Sequence, residues 1–289
     1  MNAIDFQADP KPLFAGWRVA RFARVGSTND EARRSALAGD AGRLWVVAEE
    51  QTHGRGRKGR FWSSPPGNLY ASALVVDPCP PALAPQIGFV AGVALAQAVE
   101  DLGGIGFGLK WPNDLMWRGA KIAGLLAEGV TTPDRRLACI VGIGVNCVSA
   151  PAGLDYPAAT LSDALAPARS ADALFVRLAT RFHEALGLWA RGAGFPAIRA
   201  LWLASAAGLG GPIRVADPRG AREGAFEGLD ESGRLLLRTA AGVETIEAAD
   251  LYLAQTAERI GAGGEESLRS CPTPTNWFSP RLAVSARSA

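Results

Sequence analysis

The chain has 289 residues, of which 48% are hydrophobic and 20% are charged, a composition typical of a globular protein with a buried core. Its formal net charge is only +2, because 30 Lys and Arg residues are nearly balanced by 28 Asp and Glu residues. This weak overall charge argues against binding to nucleic acid or to an anionic membrane. Two His residues, and four Cys residues without CxxC spacing, argue against a zinc site and favour free thiols.

The N-terminal segment, residues 1–14, lacks a basic stretch followed by an apolar core, so no secretory signal is predicted. The apolar run at 87–99 is shorter than a membrane span and is interrupted by Gly88 and Gln97. We therefore expect a cytoplasmic protein that does not enter a membrane.

Taken in chain order, the first two thirds of the sequence predict helices mixed with short strands. Thr28 and Glu31 have the spacing of a capping box, which predicts a helix from Thr28 to just before Gly39. A polar, glycine-rich segment at 51–66 is expected to be neither helix nor strand. Apolar runs bounded by turn residues predict strands at 44–48, 69–76, 108–111, 115–117, 121–129 and 137–146, and helices at 85–102, 174–189 and 195–206.

The pattern changes after Gly208, where strands become short and closely spaced. They are predicted at 213–216, 224–229, 235–239 and 244–248. This spacing is typical of a small β-barrel of about fifty residues. We therefore predict a large domain at 1–207, a small β domain at 208–255 and, because its composition lacks periodicity, a disordered tail at 256–289.

A basic loop, GRGRKGR at 54–60, places four cations among three glycines directly after a predicted strand. Glycine lets backbone N–H groups approach an anion, and arginine adds planar donors suited to phosphate or carboxylate. On its own, such a loop is also typical of a solvated surface segment or of an Arg-Gly segment that binds nucleic acid.

The segment KWPND at 110–114 is followed by Lys121 and Gly124. Taken alone, it indicates a tight turn and a solvent-facing lysine. The context favours more, because Lys110 and Lys121 are predicted at the edges of adjacent short strands, where side chains converge.

Two further segments carry polar or glycine patterns. Capping explains Thr28 in GSTN at 26–29, but hydroxyl and amide groups at a helix start also suit a ligand with urea-like donors and acceptors. The glycines of GIGVN at 142–146 either allow close packing or let a ring system lie against the backbone.

Together, these segments resemble the biotin protein ligase family. The matching sequences, in the family's order and spacing, are GSTN at 26–29, EEQTHGRGRKGRFWSSPPGNLY at 49–70, LKWPNDLMWRGAKIAGLLAE at 109–128 and VGIGVN at 141–146. The basic loop combined with KWPND is highly specific, whereas neither half alone is. The resemblance implies an α+β fold, in which a mixed-sheet catalytic domain of the biotin/lipoyl ligase type is followed by a small SH3-like β-barrel.

The resemblance also implies the reaction and its site. The family joins biotin to ATP with Mg²⁺, forms biotinyl-5′-AMP and transfers biotin to a lysine of a biotin carboxyl carrier protein. By correspondence, biotin is expected to contact Ser27, Thr28, Asn29, Gln51, Arg55, Gly56, Arg57, Lys121 and Gly124. ATP or the adenylate is expected to contact Arg57, Arg60, Trp62, Lys110, Asn113 and Asn146. The catalytic residues are expected to be Lys121, Arg57 and Asp114, with Asp114 either holding Mg²⁺ or orienting the attacking lysine.

Three alternatives differ in class. A lipoyl ligase would share the fold, but the basic loop and the polar segment at 27–29 favour a ureido ring. A non-catalytic biotin-binding protein would not need cations around a phosphate. A nucleic-acid-binding protein would be expected to carry a larger positive charge.

Expectations about assembly follow the same resemblance. Some family members carry a helix-turn-helix domain, but only about two dozen residues precede Gly26, so no nucleic-acid partner is predicted. Assembly as a monomer or a homodimer is left open. The biotin carboxyl carrier domain of a biotin-dependent carboxylase is the expected partner.

Overall fold

The computed structural model describes residues 11–253, so the tail predicted at 256–289 lies outside the described residues. The main sheet contains β1 (Lys11–Pro12), β2 (Arg18–Val25), β3 (Leu44–Gln51), β4 (Leu69–Val76), β5 (Phe107–Lys110), β6 (Asp114–Trp117), β7 (Ala120–Thr131) and β8 (Leu137–Val145). The helices are α1 (Thr28–Leu37), α2 (Ile87–Asp101), α3 (Leu161–Ala164), α4 (Ala171–Trp189) and α5 (Phe195–Ala204). The second sheet contains β9 (Pro212–Asp217), β10 (Gly220–Leu229), β11 (Leu235–Thr239), β12 (Gly242–Ile246) and β13 (Asp250–Leu253).

The main sheet is mixed, with strand order β1-β2-β3-β4-β8-β7-β6-β5. Its one parallel pair among the described strands is β2 with β3, and α1 supplies the crossover that this pairing requires. The remaining neighbours pair antiparallel, and β7 runs against β8 from Ala123↔Val145 to Thr131↔Leu137. This arrangement confirms the predicted α+β class.

Helices cover both faces of the main sheet. On β8, the alternate residues Cys139, Val141 and Ile143 belong to the large core formed with α2, α4 and α5. Ala138 and Ile140 point the other way, into a smaller core under α1. Alternate residues of β8 are therefore buried on both faces of the sheet.

Helix α2 lies at the centre of the large core. A 3₁₀ turn at Pro81–Gln86 leads into it. The α-helix itself begins at Ile87, two residues after the predicted start at 85. By length and composition, Pro81–Asp101 is apolar enough to cross a membrane, and it alone passes that test within residues 11–253. Because 72% of its apolar window is buried inside the protein, it is the core helix of this fold.

The start of α1 corrects one prediction. The helix begins at Thr28 as expected, but the capping box is wrong, because Ser27 is the N-cap and no side chain caps the helix. The Thr28 hydroxyl instead bonds Gln51, and the Glu31 carboxylate pairs with Arg34. A tertiary contact has therefore taken the Thr28 side chain, and a pair within the helix has taken that of Glu31.

The second sheet is antiparallel, with order β12-β11-β10-β9-β13, and matches the predicted small SH3-like domain. Its core is continuous with the large core, since Phe226 packs 6.5 Å from Trp202 on α5. The indole N–H of Trp111 also donates to the Gly233 carbonyl at 3.1 Å. The boundary predicted at 207/208 falls between α5 and β9 and stays a prediction.

An aromatic cluster fastens α4 to the main sheet. Phe182 is fully buried and meets Trp45 edge-to-face, with ring centroids 5.4 Å apart.

Phe182→Ala is expected to lower the free energy of unfolding by about 3–5 kcal/mol in a urea titration, because it leaves a cavity. Val176→Ala on the same helix is the control, since Val176 is 55% exposed and should shift stability by less than about 0.5 kcal/mol. Equal effects of the two changes would contradict this packing.

Candidate active site

A cavity of about 300 Å³ lies between the main sheet, the basic loop and the second sheet. All but one of the residues predicted for the site line it: Ser27, Thr28, Asn29, Gln51, Arg55, Gly56, Arg57, Arg60, Trp62, Lys110, Asn113, Asp114, Lys121 and Gly124. The exception, Asn146, lines a smaller adjoining cavity of about 60 Å³. Trp62, Lys121 and Tyr156 line both, so the two cavities form one site.

Neutral polar groups form one end of the larger cavity. The Gln51 side-chain oxygen accepts from the backbone N–H and the hydroxyl of Thr28, at 2.8 and 3.1 Å. The Ser72 hydroxyl, on β4, donates to the Asn29 side-chain oxygen at 2.6 Å and lies 2.8 Å from the Thr28 hydroxyl. Because these groups hold one another, they present fixed donors and acceptors without a net charge.

Asn29 is held between α1 and the strands below it. Its amide donates to the Glu128 carboxylate at 2.7 Å. A Cβ atom on Gly142 would lie 2.3 Å from the Asn29 side-chain oxygen, far inside contact distance. The glycine on β8 is therefore required for Asn29 to lie against the sheet.

The basic loop folds back on itself as a short hairpin. The backbone N–H of Trp62 donates to the Gly54 carbonyl at 2.9 Å, and the backbone N–H of Gly56 donates to the Arg60 carbonyl at 2.7 Å. A Cβ atom on Gly54 would lie 2.5 Å from the Ser64 hydroxyl, so the base of the hairpin has no room for a side chain. A 3₁₀ turn at Arg57–Gly59 forms the tip.

Carboxylates of the protein hold three of the loop's four cations. Arg55 forms a two-pronged pair with Asp30, at 2.8 Å for each hydrogen bond, and reaches Glu128 at 3.0 Å. The hydrogen bonds to Asp30 raise the pKa of Arg55 above its ordinary value. Lys58 and Arg60 both pair with a single carboxylate on β13, described below.

Arg57 is the most deeply placed of the loop cations. Its guanidinium donates to the Asn113 side-chain oxygen at 3.3 Å and to the Ala249 carbonyl at 3.5 Å. Burial lowers the pKa of Arg57 from its ordinary value. The residue therefore brings a charge into the cavity between the two sheets.

A triad of charges occupies the floor of the cavity. The Asp114 carboxylate lies 2.8 Å from the Lys121 ammonium and 3.3 Å from the Lys110 ammonium. Burial opposes ionisation of Asp114, but the two lysines outweigh it and bring its pKa below the usual range. The Lys121 ammonium also lies 5.3 Å from the Trp62 ring centroid and 5.6 Å from that of Tyr156.

The glycines of β7 and β8 receive a ring of the protein itself. A Cβ atom on Gly144 would lie 2.6 Å from the indole nitrogen of Trp62, and one on Gly124 would lie 3.3 Å from the same ring. The sequence leaves open whether the glycines at 142–146 allow close packing or let a ring lie against the backbone. At Gly144, the ring that lies against the backbone is that of Trp62. The Trp62 indole N–H is buried and finds no partner within residues 11–253. A buried donor of this kind is costly unless a bound molecule accepts its hydrogen bond.

The described residues contain no cluster of three His, Cys, Asp or Glu side chains that would hold a metal ion. Asp114, for which the sequence leaves open a role in holding Mg²⁺ or in orienting the attacking lysine, faces two ammonium groups.

Several site residues were missed by the sequence analysis. They are Ser72, Glu128, Tyr156 and Asp250. Ser72 sits in an apolar strand, and Asp250 contacts the loop across 190 positions of the sequence. Glu128 had a usable indication, because it ends the matching segment at 109–128.

Comparison with known proteins supports the same fold. Residues 22–146 match the biotin/lipoate A/B protein ligase family model, and residues 208–253 match the biotin protein ligase C terminal domain model. A biotin–[acetyl-CoA-carboxylase] ligase of Paracoccus denitrificans is 41% identical over 80% of this chain and 98% of its own length.

Two solved structures are similar over most of the chain. The biotin protein ligase from Aquifex aeolicus in complex with biotin and ATP has a TM-score of 0.70 at 27% identity, covering 82% of this chain and 99% of that one. The biotin protein ligase from Leishmania major in complex with biotinyl-5-AMP has a TM-score of 0.54 at 26% identity, covering 80% and 98%.

The mixed sheet, the second sheet and the first family model define a biotin or lipoate protein ligase. The 41% sequence identity to the Paracoccus relative decides between the two kinds of ligase. The chain belongs to the biotin protein ligase family and is an enzyme of that family.

The contact between Gly142 and Asn29 gives a direct test of the polar end of the site. Gly142→Ala is expected to lower the free energy of unfolding by about 1–3 kcal/mol, because Asn29 cannot move without breaking its bonds to Ser72 and Glu128. Gly187→Ala is the matched control, since a Cβ there meets nothing within 4 Å. That helical change should be neutral or stabilising, by about 0.5–1 kcal/mol. A Gly142→Ala protein as stable as the wild type would show that Asn29 is not confined.

Proposed function

We propose that this enzyme forms biotinyl-5′-AMP from biotin and ATP and then transfers biotin to a lysine of a biotin carboxyl carrier protein. The observation that carries the proposal is a single cavity with neutral polar groups at one end and lysine and arginine at the other. The ligands in the Aquifex and Leishmania structures support this use of the fold. The name of the Paracoccus relative supports the carrier of acetyl-CoA carboxylase as the acceptor, and hence a cytoplasmic site of action.

Biotin is proposed to lie with its ureido ring at the neutral end. Ser27, Thr28, Asn29 and Gln51 supply hydroxyl and amide groups that match a ring with two N–H donors and one carbonyl acceptor. Ligand pockets commonly combine an apolar lining with a few fixed polar groups of this kind. The valeryl chain would then lead along Gly124 towards Lys121.

The first half-reaction brings two anions together. A biotin carboxylate oxygen bonds to the α-phosphorus of ATP, and the bond from that phosphorus to the departing pyrophosphate oxygen breaks. At ~4 Å the two anions repel by about 4 kcal/mol at an effective dielectric of 20. Lys121 and Arg57 would offset this repulsion and stabilise the charge that develops on the phosphoryl oxygens.

The nucleotide is proposed to extend from the lysines into the smaller cavity. Lys110, Arg60 and Asn113 would contact its phosphates or ribose, and Asn146 would lie near the adenine. The buried indole N–H of Trp62, which has no partner within residues 11–253, would gain an acceptor if the adenylate reached it.

Mg²⁺ is proposed to enter with ATP, held mainly by phosphate oxygens and water, as is usual for nucleotide-bound magnesium. Within residues 11–253, the side chains that face the cavity form no cluster of three His, Cys, Asp or Glu residues. We therefore assign Asp114 to orienting ammonium groups: those of Lys110 and Lys121, and that of the incoming carrier lysine.

In the second half-reaction, the neutral amine of the carrier lysine attacks the activated biotin carbonyl. A C–N bond forms, the C–O bond to AMP breaks, AMP leaves with the electron pair, and the amine proton passes to solvent or to a nearby carboxylate. A mixed anhydride hydrolyses readily, so a loop that excludes water preserves the intermediate until the carrier arrives.

The direct test is incubation of the purified enzyme with ATP, Mg²⁺, biotin and a carrier domain, followed by intact-mass measurement of the carrier. One added biotinyl group on the carrier is the expected result. Lipoate in place of biotin is expected to give no adduct, which separates this proposal from a lipoyl ligase. An unmodified carrier in the presence of active ATP and biotin would contradict it.

Lys121→Ala is expected to reduce adenylate formation by at least about 100-fold, because it removes the cation closest to the reacting anions. The fold should persist, since Asp114 keeps its contact with Lys110. Pyrophosphate release measures the activity, and thermal unfolding measures the fold. Arg191→Ala, at an exposed pair with Asp77 far from the cavity, is the control. Near-wild-type rates for Lys121→Ala would refute its assigned role.

Arg57→Gly is expected to release free biotinyl-5′-AMP, because the loop loses its contacts with Asn113 and Ala249. Chromatography of the filtrate from enzyme, biotin and ATP measures the released intermediate. Arg135→Gly is the matched control, since Arg135 lies exposed in the β7–β8 turn at φ +64°, which glycine adopts freely. Equal retention by the two variants would contradict a covering role for the loop.

A further inference from the structure

One carboxylate of the second sheet joins two cations of the basic loop. The Asp250 oxygens lie 3.1 Å from the Lys58 ammonium and 2.6 Å from the Arg60 guanidinium, with one oxygen for each cation. Asp250 opens β13, about 190 positions further along the chain than the loop. These ion pairs therefore cross the mouth of the cavity and join elements that are distant in sequence.

The contact is partly shielded from water. The Asp250 side chain is 26% exposed and that of Lys58 is 29% exposed. Burial disfavours the charged carboxylate, but Arg60 and Lys58 outweigh this and bring the pKa of Asp250 below its usual value. The adjacent Ala249 carbonyl accepts from Arg57, so the start of β13 meets three consecutive cations of the loop.

Besides the bonds of Arg57 to Asn113 and Ala249, the loop is tied down at two places of different character. At its first cation, Arg55 is bound to Asp30 on α1 and Glu128 on β7, both within the main domain. At its tip, the side chains of Lys58 and Arg60 both donate to Asp250. Only the second of these ties depends on the small C-terminal sheet.

We propose that Asp250 is a positioning residue that holds the basic loop over the cavity before nucleotide binds. The small sheet thereby sets the position of cations that the reaction uses, although Asp250 itself contacts no reacting atom. The consequence for the intermediate rests on the proposed function: a loop freed from Asp250 would retain biotinyl-5′-AMP less well. The positioning itself is a property of the unliganded protein.

Hydrogen–deuterium exchange of the full, unliganded chain tests the positioning. Asp250→Asn keeps the shape of the side chain and removes its charge. We expect amides in a peptide spanning residues 54–62 to exchange about tenfold faster, because both ion pairs between the loop and β13 are lost. Glu227→Gln is the matched control, since Glu227 pairs with Arg238 inside the same sheet at similar exposure and away from the loop. Loop exchange equal in Asp250→Asn, Glu227→Gln and wild type would overturn the proposal.

A loop-side variant guards against disturbance of the second sheet. Lys58→Gln/Arg60→Gln leaves β13 untouched and is expected to give the same increase in loop exchange, whereas Asp250→Glu is expected to keep the loop protected. If Asp250→Asn speeds exchange and the loop-side variant does not, the effect comes from the sheet and the proposal is wrong.

A second readout concerns the reaction. With biotin and ATP, Asp250→Asn is expected to release about fivefold more free biotinyl-5′-AMP than Glu227→Gln, as expected for loss of loop anchoring. If loop exchange rises but release does not, the loop is positioned without effect on retention, and that half of the proposal fails. If no adenylate forms in any variant, the proposed function fails, and the exchange result still decides whether Asp250 positions the loop.

Discussion

Repulsion between a carboxylate and a nucleotide phosphate is the constraint around which this site is built. Positive charge must be concentrated where the two meet, yet uncompensated cations in a shielded cavity are unfavourable. The protein meets both demands with its own carboxylates: Asp114 lies between Lys110 and Lys121, and Asp250 lies between Lys58 and Arg60. The cations are therefore held in place by the protein itself, so under the proposed function a phosphate chain would meet a preorganised site.

The topology of the main sheet explains how these groups converge. Strands β6, β7 and β8 are neighbours, so the KWPND turn, Lys121 and the glycines of β8 face one region. Helix α1 packs against β3, β4, β7 and β8 and delivers its polar first turn to the opposite end of the cavity. The second sheet, packed through Trp111 and Phe226, places the start of β13 across the mouth. Three separate parts of the chain thus enclose a single cavity.

Local patterns in the sequence were sufficient for much of this site. Lys110 and Lys121 were predicted to converge because both flank a turn between short strands, and the structure joins them through Asp114. Strand β2 was missed, since Arg18, Arg21 and Arg24 interrupt its apolar pattern. Each of these arginines finds a carboxylate that is remote in sequence, namely Asp40, Asp172 and Glu50 respectively. Such compensation is tertiary, so no local pattern reveals it. The pairing of the loop with the second sheet was unpredictable for the same reason.

The central claim is that the cavity brings biotin and ATP together for chemistry. Exchange of labelled pyrophosphate into ATP tests it most directly, because exchange requires reversible formation of the adenylate and does not need a carrier. The enzyme is expected to catalyse exchange when biotin is present and to show none with lipoate or without an acid. Exchange that is absent with biotin, or that does not depend on it, would contradict the placement of the two substrates in this cavity.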